Sequence, residues 1–509
     1  MRHPARVAIL LALLVPVLPA LLVPTLVASA RAAVVPLGSV ASSLSPPRIV
    51  VDATGQGYTS WAGGGSGAPL EYCRLPQSAT SCASPQSFPY PAGASLDSDA
   101  GNAPVFTANG QLALVDSRCC LTSNQKFLLF SSDGGMTFTQ PTEIVSDRAS
   151  GASGNLLDVP PGALFAGSPE QLITSGTGAV TGGGSIQSTG LAAPAADPGW
   201  FTPQVASGSL SQSIGLEGST LVAVFTQESS PSYTVSWVHY LGSGDPNAAS
   251  SWSAPETLSP APSLDSNAQL AGGPAGIFVA RSIATPGDNE KLVVQKFTGS
   301  GWTSPVAITK SAAGERFAID QTPAGIVYVI WKNTSGPLQY AIATSTAATR
   351  FGVAQTLPTR GDVEFPEIAV DAAGAGWATW TNGSSPASAF ALPIIPAPQL
   401  TTVRLADGGS VSLGTPRPCV EPGAAFIVTL GFQRSKRKHP VYLKISRVAF
   451  SVSGSLVKTV THAPYRATLT MKASAKRGSK VTVRARATIT THHGRPPTRS
   501  ISARVAVCS

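Results

Sequence analysis

The chain has 509 residues with 50 Gly, 43 Pro and only 12% charged residues, and its 35 Lys and Arg outweigh 26 Asp and Glu to give a net charge of +9. That length exceeds one ordinary core unless the fold repeats. Abundant Gly, Pro, Val and Thr, with no apolar spacing of three and four residues beyond the first segment, exclude a helical bundle and predict short strands and tight turns.

At the start, Arg2 and Arg6 precede an almost wholly apolar run from Val7 to Val27. Ala28-Ser29-Ala30 then offers a small-x-small cleavage site, with Ala30-Arg31-Ala32 as a second. Residues 1–33 therefore read as an export signal. The run is long enough for a membrane anchor, but Pro16, Pro19 and Pro24 each remove a helix donor. The expectation is cleavage, a secreted or extracellular protein, and no transmembrane anchor beyond this segment. Six cysteines, an even number in an exported chain, predict disulfides. Without a CxxC pair, and with His239 the one histidine between residues 34 and 414, no metal site and no cofactor is implied.

A repeat of about 50 residues follows. Turn glycines Gly55, Gly110, Gly162, Gly218, Gly276, Gly325 and Gly374 each precede an alternating strand such as LALVD, TLVAVF, IVYVIW or WATW. A second marker, an aromatic opening a short strand, recurs in phase at Phe88, Phe138, Phe201, Trp252, Trp302 and Phe351. A unit this short cannot be a separate sandwich, which needs about 100 residues. Packed radially, four-stranded units bury each other's faces. The expected fold is all-β: a seven-bladed β-propeller, six blades remaining open, followed by a C-terminal immunoglobulin-like β-sandwich. The seventh unit shows no closing aromatic, and Val34 to Leu44 is the segment available to complete it. The expected domains are 34–46 as that closing segment, 47–405 as the propeller, 406–418 as a linker and 419–509 as the sandwich.

Ser131-Ser132-Asp133-Gly134-Gly135-Met136-Thr137-Phe138 matches S-x-D-x-G-x-T-[WF] over eight positions. It resembles the Asp-box, or BNR repeat, of the sialidase-like propeller superfamily, a resemblance spanning residues 47 to about 405 at the level of blade pattern. The resemblance implies a structural role for Ser131, Asp133, Gly135, Thr137 and Phe138: the carboxylate takes backbone N–H donors, the glycines turn and the aromatic packs between blades. It also implies, for a sialidase, three arginines, a Tyr–Glu pair and an acid/base aspartate. Pro47-Arg48-Ile49-Val50 keeps the Arg-Ile of the family's [FY]-R-I-P motif and loses both flanks. No catalytic set is assigned.

Seven residues before the turn glycines stand Arg48, Ala103, Asn155, Ser211, Gln269, Ala318 and Glu367. Of these, Arg48, Asn155, Gln269 and Glu367 are candidates to edge the central funnel. Neighbouring first and last blades would bring Arg48 to Glu367, as a ring-closing salt bridge or as a ligand contact. Cys73 and Cys82 flank a loop whose base a disulfide would clamp, leaving Cys119 and Cys120 to bond each other; pairing of Cys73 with Cys119 or Cys120 is the alternative.

From Thr415 the charge changes, with 18 Lys and Arg against one acid, Glu421. Strands are expected at Ala425–Phe432, Val441–Val452, Val457–Val460, Tyr465–Met471, Lys480–Thr490 and Ser500–Cys508, in a succession that resembles bacterial immunoglobulin-like modules. Cys419 and Cys508 at the two ends are candidates for a disulfide. Arg434, Lys436, Arg437 and Lys438 cluster, and Arg484 alternates with Arg486. This charge suits an acidic cell-envelope polymer or docking on the acidic propeller. No nucleic acid is expected, since Phe426, Phe432, Tyr442, Phe450 and Tyr465 read as core and edge residues. The whole reads as a monomeric secreted or cell-surface binding protein for a glycan or protein ligand, leaning away from an enzyme, with a sialidase-like glycoside hydrolase of extracellular glycans as the alternative.

Overall fold

A computed structural model describes residues 33–507 apart from short stretches, the longest being 90–101, 146–155, 191–199, 202–208 and 259–267. Residues 1–32 of the expected signal lie outside the described residues, as do Asn155, Cys119, Cys120, Cys419 and Cys508. The described chain is all-β, built of repeated four-stranded antiparallel sheets.

The sheets of the N-terminal region are meanders, six of four consecutive strands and one of three, and the first strand of each meander lies innermost. In chain order these inner strands are Arg48–Val51, Asn102–Phe106, Leu156–Val159, Ser209–Glu217, Ala268–Ala271, Ala313–Gln321 and Val363–Val370, and their sheets are numbered one to seven here. Each inner strand packs on that of the next sheet, and the seventh on the first, which closes a propeller-like cycle. The physical reason is burial: every gap between neighbouring sheets holds its own apolar cluster. Neither face of one sheet could be stable alone.

The turn glycines make this repeat possible. All seven have positive φ, from 60° at Gly218 to 125° at Gly276, where a side chain would be strained. At Gly55, Gly110, Gly325 and Gly374 the glycine N–H donates to the carbonyl three residues earlier, at 2.7–3.0 Å. The side chains there, Asp52, Thr107, Thr322 and Asp371, accept the N–H of the residue after the glycine. The phased aromatics mark the outer edge: Trp252, Trp302 and Phe351 bridge to Tyr240, Phe297 and Ala343.

Sheet seven takes its fourth strand from the other end of the region. Val35–Ser39 pairs antiparallel with Ser388–Ile394, Val35 opposite Ala391 and Ser39 opposite Ser388. Trp61 of sheet one donates its indole N–H to the Ser39 carbonyl at 3.2 Å. Thr379 of sheet seven donates its hydroxyl to the Pro47 carbonyl at 2.5 Å.

The C-terminal region has two four-stranded sheets around one core that includes Val411, Leu413, Phe426, Val448, Phe450 and Val483. One sheet orders Gln399–Arg404, Ser410–Thr415, Ala425–Gln433 and Tyr465–Thr470; the other orders Ser455–Val460, Tyr442–Val452, Lys480–Thr491 and Thr498–Ala506. This corrects the expected linker at 406–418 and the expected start at 419. Ser410–Thr415 is a strand whose Val411 and Leu413 are buried, and Gln399–Arg404 pairs with it. The Asp407-Gly408-Gly409 turn between them hides a hairpin that composition alone reads as a junction.

Candidate functional site

The C-terminal ends of inner strands from sheets one, two, five, six and seven converge on a cavity of about 360 Å³, lined by Val51, Phe106, Pro274, Asp320, Thr322 and Val370 among others. Asp320 lies one residue before the end of its strand because the hairpin turn follows at once. Its Oδ2 accepts the Val370 N–H of sheet seven at 2.8 Å, while the next side chain, Gln321, donates to the Ala271 and Gly276 carbonyls of sheet five at 3.0 and 2.8 Å. These adjacent polar residues therefore tie three sheets together around the cavity. Burial pushes the Asp320 carboxyl up to about 7, against the two backbone donors and assisted by the charge of Glu367.

Arg48 and Glu367 meet in an ion pair between sheets one and seven, their side chains 17% and 16% exposed. Their strand neighbours Ile49 and Ile368 line the cavity. Burial raises the Glu367 carboxyl and the Arg48 guanidinium opposes that rise. Gln269 lies on its inner strand opposite Ala280 and does not line the cavity.

Toward the other end of the same strands stands a second set that sequence reasoning did not single out. Arg316 of sheet six pairs with Glu364 of sheet seven at 2.6 Å, and its guanidinium carbon lies 5.7 Å from the centroid of the Phe365 ring. Phe365 has φ 43° inside a bulge between Glu364 and Glu367, a left-handed conformation strained for an aromatic residue. Lys332 pairs with Asp362 just before the strand begins. Bulges re-aim side chains beside functional sites, and this one turns a ring toward a cation.

A second carboxyl pair bridges sheets two and three. The Ala108 N–H donates to Glu170 at 2.9 Å, and Asp158 is pushed up to about 7 by burial and then by the Glu170 charge. Glu170 lies in the same hairpin of sheet three, while the Ala108 N–H comes from the sheet before it, which no local pattern discloses.

The Ser131–Phe138 turn is a hydrogen-bonded loop at the rim. Asp133 accepts the N–H groups of Met136 and Thr137 and the hydroxyls of Ser131 and Thr137, at 2.7–3.0 Å. The Gly135 N–H donates to the Ser131 hydroxyl at 2.7 Å. These donors hold the Asp133 carboxyl well below the usual range. Phe138 packs edge-on against Tyr72 and Phe88 of sheet one, with centroids 4.9 and 5.3 Å apart. Cys73 and Cys82 form a disulfide, which removes the pairing of Cys73 with Cys119 or Cys120.

No protein family matches the chain, and no curated protein matches it. Similar solved structures include a triple arginine mutant of AofleA from Arthrobotrys oligospora, at 12% identity, TM-score 0.40, covering 62% of this chain and 85% of that one. An α-L-arabinanase from Penicillium chrysogenum is similar at 12% identity, TM-score 0.39, with coverage of 71% and 97%. An α-L-arabinofuranosidase from Fusarium graminearum is similar at 9% identity, TM-score 0.39, with coverage of 72% and 96%. Two expectations are corrected here. Against the expectation that leans away from an enzyme, several of these similar structures bear the names of polysaccharide hydrolases or lyases. The sialidase-like, BNR and Asp-box assignment finds no support among the similar structures, which bear other names. Its eight-residue motif is a local turn device, which reports how a hairpin closes and not which family built it.

Proposed function

We propose that this chain is an exported glycoside hydrolase of extracellular polysaccharides, a seven-bladed propeller with an immunoglobulin-like module at its C-terminal end, acting at the axial cavity. The observation that carries this reading is the juxtaposition of Asp320 and Glu367 with the Arg48 guanidinium. Glycoside cleavage needs a carboxylic acid that is still protonated near neutrality and a second carboxylate that is not. Asp320, desolvated and raised to about 7, suits the proton donor. Glu367, held by Arg48, suits the carboxylate that stabilises positive charge developing at the sugar. Phe365 and Arg316 at the far end of the same strands supply a flat apolar face and a cation for sugar rings.

The test is release of reducing ends from a panel of arabinan, uronate-containing and neutral polysaccharides. Asp320→Asn and Glu367→Gln should each lower turnover about 100-fold or more, while Asp133→Asn, at the rim, should retain it. Polysaccharide retention with no product from any member of the panel would sink the hydrolase reading.

A further inference from the structure

The outer face of the sheet that contains Lys480–Thr491 presents arginines in an ordered stripe. Along that strand Arg484 and Arg486 are exposed while Val483, Ala485 and Ala487 are buried in the core, so both guanidinium groups leave the same face. The register extends the pattern. Thr482 pairs with Arg504 on one side, and Thr488 pairs with Arg447 on the other. Arg504 and Arg447 are both exposed. The order Arg504, Arg484, Arg486, Arg447 therefore runs diagonally across three strands. Successive members are about 7–8 Å apart at the backbone, and the stripe is roughly 20 Å long.

Between them stand small polar or small apolar residues. Ser502 and Ser451 flank Arg484, and Ser500 and Ala449 flank Arg486. The Arg484 Nε donates to the Ser502 hydroxyl at 3.3 Å. The strands Tyr442–Val452, Lys480–Thr491 and Thr498–Ala506 contain no acid. Like charges side by side on a sheet repel and lower stability, and a merely solubilising surface would intersperse both signs. Exposed Lys480, on the same face of that strand, and exposed Lys444, opposite Thr490, continue the row at its two ends, while its four central positions are all arginine. Arginine's planar fork matches carboxylate bidentately where lysine offers a point charge.

We propose that this stripe binds an extended acidic polysaccharide of the polyuronate type, a site separate from the axial cavity. A regular row of guanidinium forks separated by hydroxyls fits carboxylates repeating along a chain of sugar hydroxyls. The face carries no aromatic residue on its paired positions for stacking bases, which disfavours a single-stranded nucleic acid. Leu456 and Val457, large apolar side chains exposed on the flanking strand Ser455–Val460, make vesicles a necessary control.

The experiment measures binding of the full chain to polygalacturonate by calorimetry at two salt concentrations, beside amylose, poly(dT) and phosphatidylglycerol vesicles. Polygalacturonate should bind, more weakly at higher salt, and amylose should not compete. Arg484→Ser with Arg486→Ser should weaken binding at least tenfold. Arg404→Ser with Arg466→Ser, which removes equal charge from the other sheet, should change it less than threefold. Equal losses in the two variants, or tighter binding of poly(dT) or vesicles than of polygalacturonate, would overturn the proposal. Melting temperatures of both variants separate a lost site from a lost fold.

Discussion

Asp158 and Asp320 carry carboxyls that burial has pushed up to about 7, and both face across a gap between sheets. In the unfolded chain an aspartate titrates near ~3.9. The folded protein therefore holds protons that the unfolded chain releases between those values. The sign follows: the stability these groups contribute is fully present below about pH 4 and is lost as pH rises through about 7. Asp133 works in the opposite direction, since its lowered carboxyl contributes above its unfolded value and loses that contribution on acidification. From these two groups melting temperature should decline as pH rises from about 4 to about 7 and level off above that. Asp320→Asn and Asp158→Asn should flatten that decline, and a profile as steep in the double variant would refute this cause. Neither aspartate stands out in the sequence, because a desolvated carboxyl looks like a solvated one until its surroundings are folded. A usable signal does exist. Gln86 with Met136, Gln321 with Ala271 and Val370 with Asp320 are hydrogen-bonded at separations of 50 residues, one repeat apart. Polar residues aligned one period apart were thus candidates for cross-sheet bonds.

The hairpin between inner and second strand is the element that the sequence announces best. Its glycine needs φ beyond the reach of ordinary side chains, so a conserved chemical requirement at each repeat becomes a visible letter. The cost of replacing it should depend on the space around it. At Gly110 a Cβ would meet no atom within 4 Å, so Gly110→Ala should cost about 1–2 kcal/mol of backbone strain alone. At Gly325 a Cβ would overlap the Ala275 side chain of the neighbouring sheet, and Gly325→Ala should cost roughly 3 kcal/mol or more. Equal losses in denaturant unfolding would mean that strain, and not packing between sheets, sets the value. The same local legibility failed at 406–418, where two glycines after Asp407 resemble a linker as much as a hairpin.

For the molecule as a whole, the decisive joint is the one between sheet seven and the strand Val35–Ser39. Val35 is fully buried and Val40 nearly so, although they precede the first repeat. Removing residues 33–40 would expose the edge of Ser388–Ile394 and withdraw both valines from the core, a loss of roughly 3 kcal/mol or more by apolar burial. The shortened chain should melt at lower temperature and over a broader range by calorimetry. An unchanged transition would mean that the inner strands hold the cycle without this strand.

What the sequence determined was periodic: strand after strand, a glycine at each first hairpin, an aromatic at the outer edge of the first six units, and a basic C-terminal region. These are local demands of backbone conformation and face burial, and each must be met by the residues in place. The tertiary structure alone decided which residues a distant repeat would bury. It desolvated Asp320 beside the cavity and set four arginines from three strands in one row. Such juxtapositions depend on sheet order and register, which arise from packing between segments, so no stretch of the chain read alone contains them.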